Sequence, residues 1–143
     1  MSRIEGSVII KRPADKVFTY TTEAKSWPKW HGTIPEAEQT SQGQVGVGTT
    51  FRGKTRMMGQ TSEWTAKVTE YDPYKRWGKV IDSGSIIIDD KLVFDPAEGG
   101  TRFTMIYDVK VGGFLKLLSP MIISSTRKQM KTNLITLKGI LEA

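Results

Sequence analysis

Few residues in this chain of 143 are of a type and spacing that supports chemistry. The chain has no cysteine and one histidine, His31. A Ser-His-Asp set needs a serine and an acid placed around the histidine, and no nucleophile motif is present. A zinc site needs three or four ligands, and the carboxylates do not cluster in the sequence. We therefore expect a surface or hydrogen-bonded histidine, and no metal or other cofactor.

Asp90 is the most informative carboxylate, because the alternation of its strand places it on one face with Ile88, Leu92 and Phe94. If that face is the inner one, Asp90 is a buried charge that needs a partner, and such groups often mark function. Asp90 and Tyr107 would then anchor a ligand or form a proton-transfer pair. The interpretation that we favour is a bulge at Asp89 and Asp90 that turns the carboxylate to solvent.

The glycines at 43, 46 and 48 superficially resemble a phosphate-binding loop. A strand pattern follows them, whereas a phosphate-binding loop is followed by a helix. They are better explained by a turn.

Any functional side chains must be positioned by strands, because short alternating stretches separated by turn residues occupy most of the chain. Residues 1–10 predict a first strand, and Pro13 suits the first position of a short helix. Residues 27–30 form a second short helix or a tight turn. Six further strands are predicted at 36–41, 49–58, 61–71, 75–81, 85–94 and 101–111, with a hairpin loop at 95–100.

Residues 112–143 carry one long helical pattern. We expect a break or kink at Ser119, where a hydroxyl precedes a proline. Beyond it, apolar residues recur at helical spacing and form one narrow stripe, namely Ile123, Met130, Leu134, Leu137 and Leu141.

Composition predicts one globular domain over residues 1–143, with 38% hydrophobic and 25% charged residues. The net charge of +6 is interpreted as surface charge, since the basic residues are scattered and no cluster suggests nucleic-acid binding. No leader or membrane span is recognised, so a cytoplasmic protein is expected. The sequence is compatible with a monomer or a homodimer.

Four segments resemble a known superfamily. They are residues 13–18 (PADKVF), 27–30 (WPKW), 46–51 (GVGTTF) and 99–104 (GGTRFT). In this order, and followed by the helix ending at 134–142, they resemble the START and birch-pollen-allergen (Bet v 1-like, SRPBCC) superfamily, in its polyketide cyclase/dehydrase-like branch. The resemblance implies an α+β helix-grip fold. A curved seven-stranded antiparallel sheet would wrap around a long C-terminal helix, with two short helices after the first strand.

The resemblance also implies a cavity between the sheet and the helix. The side chains expected to line it are Trp64, Asp90, Phe94, Phe103, Met105 and Tyr107 from the strands, and Phe114, Met121 and Met130 from the helical segment. Trp27 and Trp30 either border its entrance or hold the small helices to the sheet. The turn at Met57 and Met58 lies either at the mouth or against the edge of the fold.

We therefore predict a binding or carrier protein for a hydrophobic small molecule such as a lipid, an isoprenoid or an aromatic compound. One alternative is an enzyme of the cyclase/dehydrase type that works without metal, and another is a protein-interaction module. The stripe of Arg127, Lys131 and Lys138 is either a solvated face or a transient contact with an anionic membrane.

Overall fold

The computed structural model describes residues 2–57 and 59–143. Strand β1 (Ser2–Ile10) is followed by helix α1 (Ala14–Thr22), a 3-10 turn (Ala24–Ser26) and the short helix α2 (Trp27–Trp30). The other strands are β2 (Glu36–Gln39), β3 (Thr50–Met57), β4 (Gln60–Asp72), β5 (Arg76–Asp82), β6 (Ile86–Ala97) and β7 (Gly100–Val111). A 3-10 helix (Gly113–Leu118) leads into helix α3 (Ser119–Glu142).

The seven strands form one antiparallel sheet in the order β1-β7-β6-β5-β4-β3-β2. Helix α3 packs across its inner face and lies against β1 at Gly6. A Cβ atom at Gly6 would lie 3.0 Å from Leu134 Cδ1 and 3.2 Å from Met130 Sδ. The absence of a side chain there lets the helix lie directly on the strand.

The two ends of the sheet are filled differently. At one end, helix α1 covers the sheet through Phe18, whose ring centre lies 5.1 Å from that of Phe94, and Phe94 lies 5.3 Å from Phe103. The other end carries the β3–β4 connection, the turn between β5 and β6, and the end of β7. We call it the cavity end, because the space between the sheet and α3 is not completely filled there.

The order of elements predicted from the sequence is confirmed. Strand β6 continues to Ala97, so the predicted hairpin loop is reduced to a tight turn. The predicted break at Ser119 is confirmed, since α3 begins there with Pro120 in its first turn. Among the described residues, no helix combines the length and apolar content needed to cross a membrane.

Candidate functional site

A cavity of about 100 Å³ lies between the cavity end of the sheet and the middle of α3. Apolar side chains from four strands and from α3 line it. They are Met57 of β3, Trp64 of β4, Ile81 of β5, Ile88 of β6 and Met130 of α3. The loop after α2 closes one side, and the hydrogen bond from the Arg56 N–H to the Thr33 oxygen (2.7 Å) fixes this loop to β3. Trp27 of α2 also lines the cavity.

Two opposite charges meet inside the fold at the cavity wall. Lys79 Nζ donates to Asp90 Oδ2 at 2.7 Å, and the two side chains are only 7% and 2% exposed. The ammonium group also lies over two indole rings, 4.6 Å from the centre of Trp27 and 4.7 Å from that of Trp77. Contact with aromatic faces stabilises a desolvated cation, so Lys79 is held from three sides.

The pair forms because the register of β5 and β6 places the two residues directly opposite each other. Lys79 points inward because it alternates with Trp77 and Ile81, the first buried in the core and the second facing the cavity. Opposite residues on one face of an antiparallel pair have side chains within contact distance. The ion pair is thus a direct product of strand alternation.

One carboxylate oxygen of Asp90 makes no hydrogen bond within the described part of the chain. This atom, Oδ1, is buried. A buried carboxylate oxygen without a partner costs free energy, and a donor supplied by a ligand or a water molecule would recover it. Asp90 therefore offers a fixed acceptor at the cavity wall.

Tyr107 lies opposite Asp90 in the pairing of β6 with β7 and also lines the cavity. Burial raises the pKa of its hydroxyl well above the usual value, and the nearby Asp90 charge raises it further. The phenol therefore stays protonated and can donate a hydrogen bond.

A hydrogen bond from Asn133 of α3 fixes His31. The Asn133 Oδ1 atom accepts from the Gly32 N–H (3.0 Å) and from Gln129 Nε2 (2.8 Å), which fixes the orientation of the amide. The Nδ2 atom of Asn133 then faces His31 Nδ1 at 3.2 Å, and an amide nitrogen only donates. His31 Nδ1 must therefore accept, and the ring proton sits on Nε2.

The His31 ring is neutral over the whole physiological range. Burial, and secondarily the positive charge of Lys79, lower the pKa of His31 to about 3. With its proton on Nε2, the neutral ring presents a hydrogen-bond donor. His31, Asp90 and Tyr107 thus line one cavity with two donors and one acceptor.

The structure brings four of the predicted site residues to the cavity, namely Trp64, Asp90, Tyr107 and Met130. The favoured interpretation of Asp90 is wrong, because the register of β6 with both neighbours is unbroken and the carboxylate is buried. The one register shift in the sheet as described falls in β4, between Val68 and Glu70. Inward alternation therefore holds through Asp90.

Three other predicted residues are buried but do not line the cavity. Phe94, Phe103 and Met105 are at most 3% exposed. Phe94 and Phe103 pack under α1 and α2, at the end opposite the cavity. They share the inner face with the cavity residues, but they lie too far along their strands to reach it.

The prediction that Phe114 and Met121 line the cavity is wrong. Their side chains are 84% and 52% exposed, respectively. Phe114 lies in the 3-10 helix that precedes α3, and Met121 lies in the first turn of α3.

Trp27 and Trp30 both hold α2 to the sheet, through contacts with Phe51 and Phe103 respectively. Trp27 also lines the cavity. Met57 lies at the cavity, whereas Met58 is outside the described residues.

Sequence reasoning missed Lys79, and the signal for it was present. Lys79 occupies an inward position between Trp77 and Ile81, just as Asp90 occupies one between Ile88 and Leu92. Opposite charges at apolar positions of consecutive strands could have been paired. His31 and Asn133 carry no such signal, because they are 102 residues apart and only the packing of α3 brings them together.

A larger, open hollow of about 540 Å³ lies on the outer face of β2, β3 and β4. Ion pairs line it, including Arg52 with Glu38 and Lys54 with Glu36. These side chains are largely exposed, and exposed ion pairs contribute little to stability. The cavity beneath α3, with its buried ion pair, is therefore the better candidate for a functional site.

The sequence model of the family described as "Polyketide cyclase / dehydrase and lipid transport" matches residues 1–142. The chain belongs to this family. No curated protein sequence matches the chain. Membership agrees with the polyketide cyclase/dehydrase-like branch that the sequence resembles.

Solved structures with the same fold include TTHA0849 from Thermus thermophilus, at 18% identity and a TM-score of 0.82, covering 96% of this chain and 95% of that one. The Zhui aromatase/cyclase from Streptomyces sp. R1128 has 14% identity and a TM-score of 0.82, with 99% and 93% covered. A START superfamily protein from Mycobacterium smegmatis has 14% identity and a TM-score of 0.80, with 98% and 97% covered. These similarities confirm the predicted helix-grip fold.

Proposed function

We propose that the protein binds a small hydrophobic molecule in the cavity beneath α3 and holds it without converting it. The observation that carries the proposal is Asp90, a buried carboxylate with one oxygen in an ion pair and the other unpartnered at the cavity wall. Apolar walls with a few fixed polar groups are typical of small-molecule sites. A ligand with an apolar body and one hydroxyl or similar polar group fits this lining.

The size of the cavity limits the ligand. Ligand pockets usually measure about 300–1,000 Å³, and an apolar cavity of about 150 Å³ holds benzene. At about 100 Å³, the cavity needs only a small displacement of its walls to admit one aromatic ring. A larger ligand would require the loop after α2 or the flexible side chains of Met57 and Met130 to move.

The second candidate is an enzyme of the cyclase/dehydrase type. It is favoured by the four ionisable side chains around one cavity, namely His31, Lys79, Asp90 and Tyr107. Proton transfer works best when the pKa of the group lies near the operating pH. The pKa of His31 is lowered to about 3 and that of Tyr107 is raised well above its usual value. Both groups are therefore better suited to orienting a ligand than to exchanging protons, which favours the carrier.

The first experiment is native mass spectrometry of freshly purified protein, followed by thermal-shift measurements with toluene and p-cresol. The two compounds have nearly the same shape, and only p-cresol carries a hydroxyl that can bond to Asp90, His31 or Tyr107. We expect p-cresol to raise the melting temperature more than toluene does, because the hydroxyl satisfies a polar group that is otherwise unpartnered.

A matched pair of variants on α3 locates the site. Thr126 is buried and lines the cavity, whereas Thr136 is exposed on the same helix, and both donate to the carbonyl four residues earlier. Thr126→Phe fills the cavity and should abolish the shift, whereas Thr136→Phe should retain it. Overfilling costs about 1–3 kcal/mol, so Thr126→Leu serves as a milder variant if the first fails to fold.

Two results would contradict the proposal. An equal shift in the Thr126 variants would place binding elsewhere. If no bound mass is found and neither compound shifts the melting temperature, the carrier hypothesis is wrong. A protein partner would then be sought.

A further inference from the structure

The 3-10 helix after β7 and the first turn of α3 together expose four large apolar side chains within eight residues. Leu117 is 86% exposed, Phe114 84%, Met121 52% and Leu118 40%. We call these four residues the apolar segment. Single exposed apolar residues are common on protein surfaces, but a contiguous group of this kind marks an interaction site.

The same part of the chain carries all of the net charge. Residues 109–141 contain no Asp or Glu, and their basic residues are Lys110, Lys116, Arg127, Lys128, Lys131 and Lys138. The other 15 basic residues are balanced by all 15 acids, so the net charge of +6 belongs to this region. In the sequence, Lys116 lies between Phe114 and Leu117 of the apolar segment. Lys128 lies seven residues after Met121, on the same face of α3.

These cations are available for an external partner. Lys110, Lys116, Arg127, Lys128 and Lys131 are exposed, and none of them forms an ion pair within the described part of the chain. Lys138 is the exception, because it pairs with Glu142 at 2.7 Å.

The apolar segment lies at the cavity end of the molecule. It follows the last residue of β7, and the Gly112 N–H donates to the Ser85 oxygen (2.7 Å) in the turn between β5 and β6. In the other direction, Met121 is five residues before Thr126, which lines the cavity. Five residues of helix span about 7.5 Å. The exposed segment and the cavity are thus neighbours on one helix.

We propose that the apolar segment docks the protein on an anionic lipid membrane. The apolar side chains would enter the boundary between headgroups and acyl chains, and the surrounding cations would contact lipid phosphates. If the proposed ligand binding is correct, docking would bring the cavity to the membrane, so that an apolar ligand could be exchanged without crossing bulk water.

An anionic membrane fits this surface better than a second copy of the chain does. Symmetric pairing through the apolar segment would bring two strongly positive surfaces together. Stable protein interfaces also bury about 800 Å² on each partner, which four side chains do not supply. A lipid surface needs no such area and complements the charge.

The test is co-sedimentation with vesicles, without added ligand. Vesicles that mix phosphatidylglycerol with phosphatidylcholine are compared with vesicles of phosphatidylcholine alone. We expect binding to the anionic vesicles only, weakening as salt is added, because exposed charges are screened beyond about 8 Å at physiological ionic strength. Absence of binding to the anionic vesicles would overturn the proposal.

Two exposed aliphatic residues provide a matched pair of variants. Leu117 (86% exposed) belongs to the apolar segment, and Val47 (70% exposed) lies in the loop before β3, at the opposite end of the sheet. Leu117→Asp should weaken vesicle binding about tenfold or more, since it removes an inserted side chain. Val47→Asp adds the same charge and should leave binding unchanged, and thermal melting confirms that both variants fold. Equal losses in the two variants would overturn the docking site.

The charge contribution is measured separately. Lys116→Gln and Lys128→Gln should each weaken binding to anionic vesicles about fivefold, whereas Lys67→Gln on the outer face of β4 should not.

A dimer would give a different result. If Leu117→Asp dissociates a dimer and the wild type does not bind vesicles, the occupant is a second copy and the membrane proposal is overturned. Vesicle binding uses no ligand and the p-cresol shift uses no vesicles, so either proposal can fail alone.

Discussion

At the scale of single residues, the Lys79–Asp90 pair costs free energy of desolvation. Both charges are removed from water, with side chains 7% and 2% exposed. Desolvation of two such ions offsets most or all of their mutual attraction, so buried pairs are often no more stabilising than apolar residues of similar size. The pair is therefore better explained by what it does at the cavity than by stability.

We predict strongly non-additive effects on unfolding by urea. Lys79→Met leaves the Asp90 charge buried without a cation and should cost about 3–5 kcal/mol. Asp90→Leu should cost less, because Lys79 keeps its contacts with the Trp27 and Trp77 rings. The double variant should return to near the stability of the wild type. If the two single losses simply add in the double variant, the two charges are not coupled and the pair does not act as a unit.

At the scale of elements, the cavity wall depends on one glycine in β3. Gly53 lies opposite Trp64 in the pairing of β3 with β4. The indole of Trp64 lies across the position that a Gly53 side chain would occupy, and a Cβ atom there would also come within 2.7 Å of the Glu36 oxygen. The backbone of β3 and the ring of Trp64 therefore pack directly on each other, and this contact sets one side of the cavity.

We predict that Gly53→Ala lowers the free energy of unfolding by about 1–3 kcal/mol, the usual cost of overpacking. The displaced ring should also reduce the thermal shift given by p-cresol. Gly46→Ala is the control, because a Cβ atom at Gly46 would meet nothing within 4 Å. Urea unfolding of both variants checks the prediction. Equal stabilities would show that Trp64 moves aside freely and does not define the wall.

The elements were predictable because each depends on a local pattern. Alternation and turn residues specify the strands, and Ser119 followed by Pro120 specifies the start of α3. The site was less accessible to such reasoning. Phe114 and Met121 have the apolar character of cavity residues, yet their side chains are exposed, in the 3-10 helix and in the first turn of α3. His31 meets Asn133 only after the sheet and the helix have come together.

At the scale of the whole molecule, burial of a neutral histidine makes stability depend on pH. The pKa of His31 is lowered from 6.5 to about 3, first by burial and then by the charge of Lys79. In the unfolded chain, His31 binds a proton below about pH 6.5, whereas the folded protein excludes that proton until about pH 3. The unfolded state therefore binds more protons within this window, and stability falls as the pH falls.

We predict a loss of about 1.4 kcal/mol for each pH unit below 6.5 from this residue alone, or about 2 kcal/mol by pH 5. Urea unfolding between about pH 7 and 5 measures it best, because the lowered pKa values of Glu70 and Glu142 act below their ordinary value of 4.5. His31→Gln should remove this slope, whatever its effect on stability at neutral pH. Parallel slopes for the wild type and His31→Gln would mean that His31 takes up its proton in the folded protein. The ring would then be accessible to protons, and its assignment as a fixed donor in the cavity would have to be abandoned.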